Sequence, residues 1–154
     1  MKKLITITTI LFFVAIHLSA QENHNAKVVL FRTFNPFGCA VGYNVFQDTT
    51  KITRLRAKSF EVANLEAKPT RLWAKTEARR YVDIDLKPDH IYFIRGKLSL
   101  GWFVGQPRLE TLTAQEFKDL VSRKKYLQKQ LKKIGFDSVE DFLKPYQVTA
   151  FTGL

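Results

Sequence analysis

Cysteine is almost missing from this chain: Cys39 is the only one in 154 residues. An internal disulfide is therefore excluded. In an oxidising compartment the thiol is either free or bridges two molecules. Cys39 also stands well past the apolar N-terminal run, so it is not a bacterial lipid-attachment cysteine, which directly follows such a run. Histidine is nearly as scarce, with three in all. Beyond the N-terminal run only His24, His90 and Cys39 offer soft ligands, each far from the next, and this lacks the ligand spacing of a zinc site. There is no glycine-rich βαβ pattern, no G-x-S-x-G elbow, no internal repeat and no low-complexity segment. After Leu18 no apolar stretch approaches the ~20 residues of a membrane-spanning helix.

What is present begins with "MKKLITITTILFFVAIHLSA". Lys2 and Lys3 precede the apolar run Leu4–Leu18, and small Ser19 and Ala20 follow it. This is the plan of a secretory signal peptide over residues 1–20, cleaved near Ala20. The chain is then periplasmic or secreted; an uncleaved signal would instead tether it to the membrane. Residues 1–20 carry two lysines and no acid, so the remaining 134 residues hold a net charge of +9. Such a balance favours anionic surfaces. Nucleic acid is not an expected partner of an exported chain.

Residues 21–112 read as one β domain. Strand-like runs cover 26–34, 39–47, 51–56, 59–66, 70–77, 80–86, 91–100 and 102–112, separated by turn signals such as "NPFG" and "KPDH". "KPDH" suits a type I turn with Pro88 second and Asp89 third. "RRYVDIDL" alternates: Val82, Ile84 and Leu86 share one face, and Tyr81, Asp83 and Asp85 the other, as in a sheet wet on one side. The pattern predicts an antiparallel β-sandwich of seven to eight strands.

Residues 113–154 change character. Thr113 and Glu116 form a capping-box pattern. Phe117, Leu120, Val121, Leu127, Leu131 and Ile134 then lie in one arc of a helix over 113–134. Lys118, Lys125, Lys129, Lys132 and Lys133 lie opposite. Gly135 ends that helix, and Asp137 or Ser138 caps a short second one, "SVEDFLK", stopped by Pro145.

The segments "VVLFRTF", "TRLWAKTE" and "LKPDHIYFIR", followed by a Thr-x-x-Glu helix start, resemble a family of small exported bacterial domains of unknown function, many of them lipoproteins. The likeness covers roughly residues 26–120 at the level of motifs. It implies a compact sandwich akin to transthyretin-type and carboxypeptidase-regulatory-type domains, and it implies no activity. The chain departs from the family at Thr70 and Asp89, which follow prolines where glycine is common. The paired tyrosines become Tyr92-Phe93, and the lipid-attachment cysteine is absent.

Candidate sites are few. His90 beside Asp89 has the makings of a general base, yet lacks a nucleophile and an oxyanion donor, and reads better as a turn residue. Asp83 and Asp85 on one strand face make a two-carboxylate cation site or a solvated face. Trp73, Tyr92 and Trp102 form a candidate ligand face for a glycan or peptide, although aromatic side chains, Tyr43 and Tyr81 included, commonly fill a sandwich core. Cys39, in period-two register with Val41, Tyr43 and Val45, reads as a small buried strand residue. The charge of the 113–134 helix is the most specific feature: seven cations face two acids, a net +5. It marks either a solvated helix face or a contact for an anionic membrane surface or acidic envelope protein. The expected function is a non-enzymatic envelope adaptor using Lys118, Lys125, Lys129, Lys132 and Lys133, with the aromatic binding module as the alternative. No catalytic residue, metal or cofactor is assigned.

Overall fold

The computed structural model describes residues 25–100 and 105–148. The signal peptide expected over residues 1–20 and Trp102 lie outside these residues. Eight main strands are described: β1 (Asn25–Arg32), β2 (Tyr43–Gln47), β3 (Thr50–Leu55), β4 (Phe60–Glu66), β5 (Pro69–Lys75), β6 (Arg79–Asp85), β7 (His90–Ser99) and β8 (Gln106–Leu112). They form two sheets. Sheet A has the order β4-β1-β7-β8, and sheet B the order β3-β2-β5-β6. The ladders are antiparallel except that β1 runs parallel to β7, as does a two-residue strand β9 (Gln147–Val148). This is the mainly β sandwich that the strand pattern predicts.

Alternation within each strand builds the core. Ala26, Val28 and Leu30 of β1, with Tyr92, Ile94 and Leu98 of β7, meet Tyr43, Val45, Leu72, Ala74 and Ile84 of sheet B. Ile84 and Leu86 are buried while Tyr81, Asp83 and Asp85 are exposed, as the "RRYVDIDL" alternation requires. The opposite side of sheet A is apolar too. Val29, Phe31, Ile91, Phe93 and Leu112 pack there against three C-terminal helices, α1 (Ala114–Arg123), α2 (Lys125–Lys133) and α3 (Val139–Leu143). The layers are therefore sheet B, sheet A and helices. No described element lies over the outer face of sheet B.

Phe117 fastens the helical layer. Its ring stacks on Phe93 at 4.2 Å and meets the edge of Phe31 at 5.5 Å. Thr113 caps α1: its hydroxyl accepts from the Glu116 backbone N–H (3.2 Å), and the Glu116 carboxylate accepts from the Thr113 N–H (2.8 Å). The capping-box expectation holds. Ser138 caps α3.

The single helix expected over 113–134 is two. Lys124 is extended (φ −120, ψ 95) and ends α1. The cause is a slip in apolar phase. After Phe117 and Val121, a continuous helix wants apolar residues near 124–125 and 128, where the chain has lysines and Gln128; the next leucine is 127. Breaking at Lys124 lets both segments bury their apolar faces. Gln128 Nε2 donates to the freed carbonyls of Val121 (3.0 Å) and Ser122 (3.2 Å). Ile134, assigned to the buried arc, is exposed at the end of α2. There Gly135 (φ +94) turns the chain so that the Phe136 N–H reaches back to Leu131 O, closing a Schellman cap.

The second strand begins later than "CAVGYNVFQ" suggests. Residues 33–42 are a loop, and Cys39 is exposed within it, not buried in a strand. Arg32 explains this. Its side chain points into the end of the sandwich and is 2% exposed. One guanidinium nitrogen donates to Val41 O and the other to Gly38 O (2.7 Å), while its carbon lies 5.4 Å from the Tyr43 ring centroid. Gly38 O also accepts from the Val41 N–H (3.1 Å), so the guanidinium and this turn together hold residues 38–41 in a loop conformation. The strand starts only at Tyr43. The exposed thiol carries a simple prediction: a thiol reagent modifies Cys39 in the native chain within a few-fold of its rate in denaturant, and strong native protection would place it in the core.

The "KPDH" turn also differs from expectation. Asp89 has φ +58, a left-handed conformation that the third position of a type I turn does not take. The His90 N–H still closes the turn on Lys87 O at 3.3 Å. Asp tolerates this region better than most non-glycine residues, which suits it to this position.

Candidate binding faces

The residues singled out from sequence fall in separate places. Tyr92 is not on a ligand face. It is 1% exposed, inside the sandwich, and its hydroxyl donates to Asp85 O (2.9 Å) and accepts from the Lys87 N–H (2.9 Å). The run "IYFI" is apolar on both sides because helices cover the outer face of sheet A, so the parity of Tyr92 is hidden in the sequence. Trp73 is on the outer face of sheet B, half-buried, with Nε1–H donating to Asp48 O at 2.6 Å.

His90 opens β7, and its Nδ1 lies 2.7 Å from Pro88 O. Among the described residues its neighbours are Pro88 O and the Tyr92 ring, 6.5 Å away between centroids. Asp83 forms a two-bond pair with Arg71 (2.6 and 3.0 Å), and this hydrogen bonding holds its carboxyl below the ordinary range. Among the described residues no three His, Cys, Asp or Glu side chains are grouped to hold a metal.

The lysines of the helical layer divide at the Lys124 break. Lys118, on α1, is half-buried at a groove shared with Asp119, Gln128, Asp137 and Glu140. Lys125, Lys129, Lys132 and Lys133 are exposed on α2, opposite its buried Leu127 and Leu131. Among the described residues none of these four is paired with a carboxylate; the ion pairs are Lys68–Glu66, Arg71–Asp83 and a cluster of Arg95, Lys97 and Arg108 around Glu110. The first turn of α2 contains no acid, and Lys125 opens it. A cation there opposes the helix dipole, at a cost of about 0.3–1 kcal/mol.

The outer face of sheet B holds an arrangement that sequence reading missed. In register, Lys51, Phe46, Trp73 and Tyr81 form one row across all four strands. Arg54, Asn44, Lys75 and Arg79 form the next row. Phe46 and Trp73 stack at 4.3 Å with 12° between their planes, and the Arg79 guanidinium lies 5.0 Å from the Trp73 ring centroid. The Arg71 guanidinium lies 5.4 Å from Tyr81. The signal was available in part. Tyr43 and Val45 facing inward puts Phe46 outward, and Leu72 and Ala74 inward puts Trp73 outward.

Comparison of the chain with protein-family models and with curated protein sequences finds no match.

Proposed function

We propose that this chain is an exported, non-enzymatic β-sandwich protein that docks on an anionic lipid surface through the lysine face of α2. The carrying observation is the row Lys125, Lys129, Lys132 and Lys133: exposed, in no ion pair among the described residues, and backed by leucines buried on the other side of the same helix. Lys125 supports it further, because a helix tuned only for stability places acids in its first turn. The N-terminal signal pattern and the likeness to exported sandwich domains belong to the same reading.

The test is vesicle binding by the full chain. Each lysine near a charged leaflet contributes about 1 kcal/mol. Lys129→Gln with Lys132→Gln is then expected to weaken binding to phosphatidylglycerol-containing vesicles about 30-fold at low salt. Affinity for neutral vesicles is expected to stay constant, since it reads any contact that charge does not supply. Unchanged affinity for the anionic vesicles would remove α2 as the contact, and an acidic protein partner captured only by the lysine-bearing chain would replace the lipid.

A further inference from the structure

Sheet B carries a second basic face, on the side of the molecule away from the helices. Its composition is unlike that of an ordinary solvated sheet. Tyr81 is 51% exposed and continues a row with the half-buried Phe46 and Trp73. Beside it Arg54, Lys75 and Arg79 are all exposed, and among the described residues none has a carboxylate in ion-pair reach. The acids of this face lie on the far side of the aromatic row, where Asp83 is taken by Arg71 and Asp48 and Asp85 line the same shallow depression. They stand apart from the row of Arg54, Lys75 and Arg79, whereas a face selected only for solubility intersperses signs and avoids adjacent aromatics.

The stacking geometry narrows the ligand. Phe46 lies against one side of Trp73, and Arg79 stacks on its ring. Bare ring faces, which unpaired bases need for stacking, are thus not what this surface offers. It offers ring edges as an apolar floor. It also offers the Arg79 guanidinium, placed over the Trp73 ring at 5.0 Å and in no ion pair among the described residues, to a carboxylate. Strands repeat at about 4.8 Å, close to the length of one pyranose unit. Lys75 and Arg79 therefore stand about one sugar apart, and Arg54, beyond the uncharged Asn44, stands about two sugars from Lys75, on positions set by the sheet.

We propose that the outer face of sheet B binds a linear acidic polysaccharide, with Arg54, Lys75 and Arg79 holding its carboxylates and Phe46, Trp73 and Tyr81 packing against the apolar sides of the sugars. The site is independent of the α2 lysines and does not rest on the lipid reading.

Polygalacturonate is the probe, with neutral dextran and an oligothymidylate of equal charge as comparisons, all titrated against the full chain. The wild-type chain is expected to bind polygalacturonate more tightly than the oligothymidylate and to leave dextran unbound. Lys75→Gln with Arg79→Gln is expected to weaken polygalacturonate binding at least tenfold and to flatten the slope of log affinity against log salt by about two, one for each cation removed. Trp73→Leu, which leaves every charge in place, is expected to cost several-fold, because Arg79 loses the ring that orients it. A melting curve for each variant confirms that the fold persists. Lys129→Gln with Lys132→Gln is expected to leave polygalacturonate binding intact, and the sheet variants to leave vesicle binding intact. Three results would overturn the proposal: polygalacturonate affinity unaffected by the sheet variants, loss confined to the α2 variant, or oligothymidylate binding as tightly as the polysaccharide.

Discussion

Replacing Phe117 by alanine is expected to destabilise the chain by about 3–5 kcal/mol, the usual cost of removing a buried phenylalanine. The ring is fully buried and bridges Phe31 of β1 and Phe93 of β7. The remaining α1 contact with sheet A is lighter, since only Val121 is buried beside Phe117 in that helix. The loss should therefore be concentrated in the helical layer. Urea denaturation would give the magnitude. Hydrogen exchange would give the location: protection is expected to fall first for amides of α1 and α2, while β1 and β7 keep theirs. A cost below about 1 kcal/mol, within the range of ordinary surface changes, would mean that the helices are fixed by something other than this ring.

Gly96→Ala should be the second large effect. Gly96 lies at the centre of the sandwich, and its missing side chain is what lets sheet B come close. A Cβ there would fall well inside the van der Waals contact distance of Tyr43 Oη and 2.7 Å from Leu55 Cδ1. Both neighbours are buried, and the Tyr43 hydroxyl is engaged with Lys97 O at 3.1 Å. Restricting the unfolded chain returns at most about 1 kcal/mol. Overpacking costs about 1–3 kcal/mol, and displacing a buried hydroxyl from its acceptor adds about 1 kcal/mol more. The net loss should be about 1–3 kcal/mol. The pair Gly96→Ala with Tyr43→Phe should cost less than the sum of its parts, because removing the hydroxyl clears the space the methyl needs. Additive costs would show that the clash lies elsewhere.

The fold was legible wherever one face of an element is wet. "RRYVDIDL" gives its parity directly, and Thr113 with Glu116 marks the start of α1 to the residue. Three features were not legible, each for a reason of distance. The late start of β2 depends on Arg32 gripping carbonyls six and nine residues away. The pairing of β1 with β7 joins segments some sixty residues apart, and no local pattern encodes it. Tyr92 and Trp73 went to opposite fates because β7 is covered on both sides and β5 on one. The break at Lys124 was legible in principle, in the one-residue slip between Val121 and Leu127. The binding faces were half legible: the α2 lysines were visible as a helical row, whereas the cationic and aromatic rows of sheet B exist only once strand register brings four separate strands together.

The grip of Arg32 on the 33–42 loop has a practical corollary. Both acceptors, Gly38 O and Val41 O, are main-chain atoms, so the loop's path depends on few of its side chains. Exposed positions such as Cys39 and Ala40 can in consequence be exchanged without disturbing what holds the loop in place, whereas Asn35 is best kept, because its Oδ1 accepts from the Phe37 N–H at 3.1 Å. That makes this end of the sandwich a natural graft point: a foreign peptide could replace the exposed residues, and the single thiol could carry a dye or a surface linker, with the two basic faces left free on the flanks.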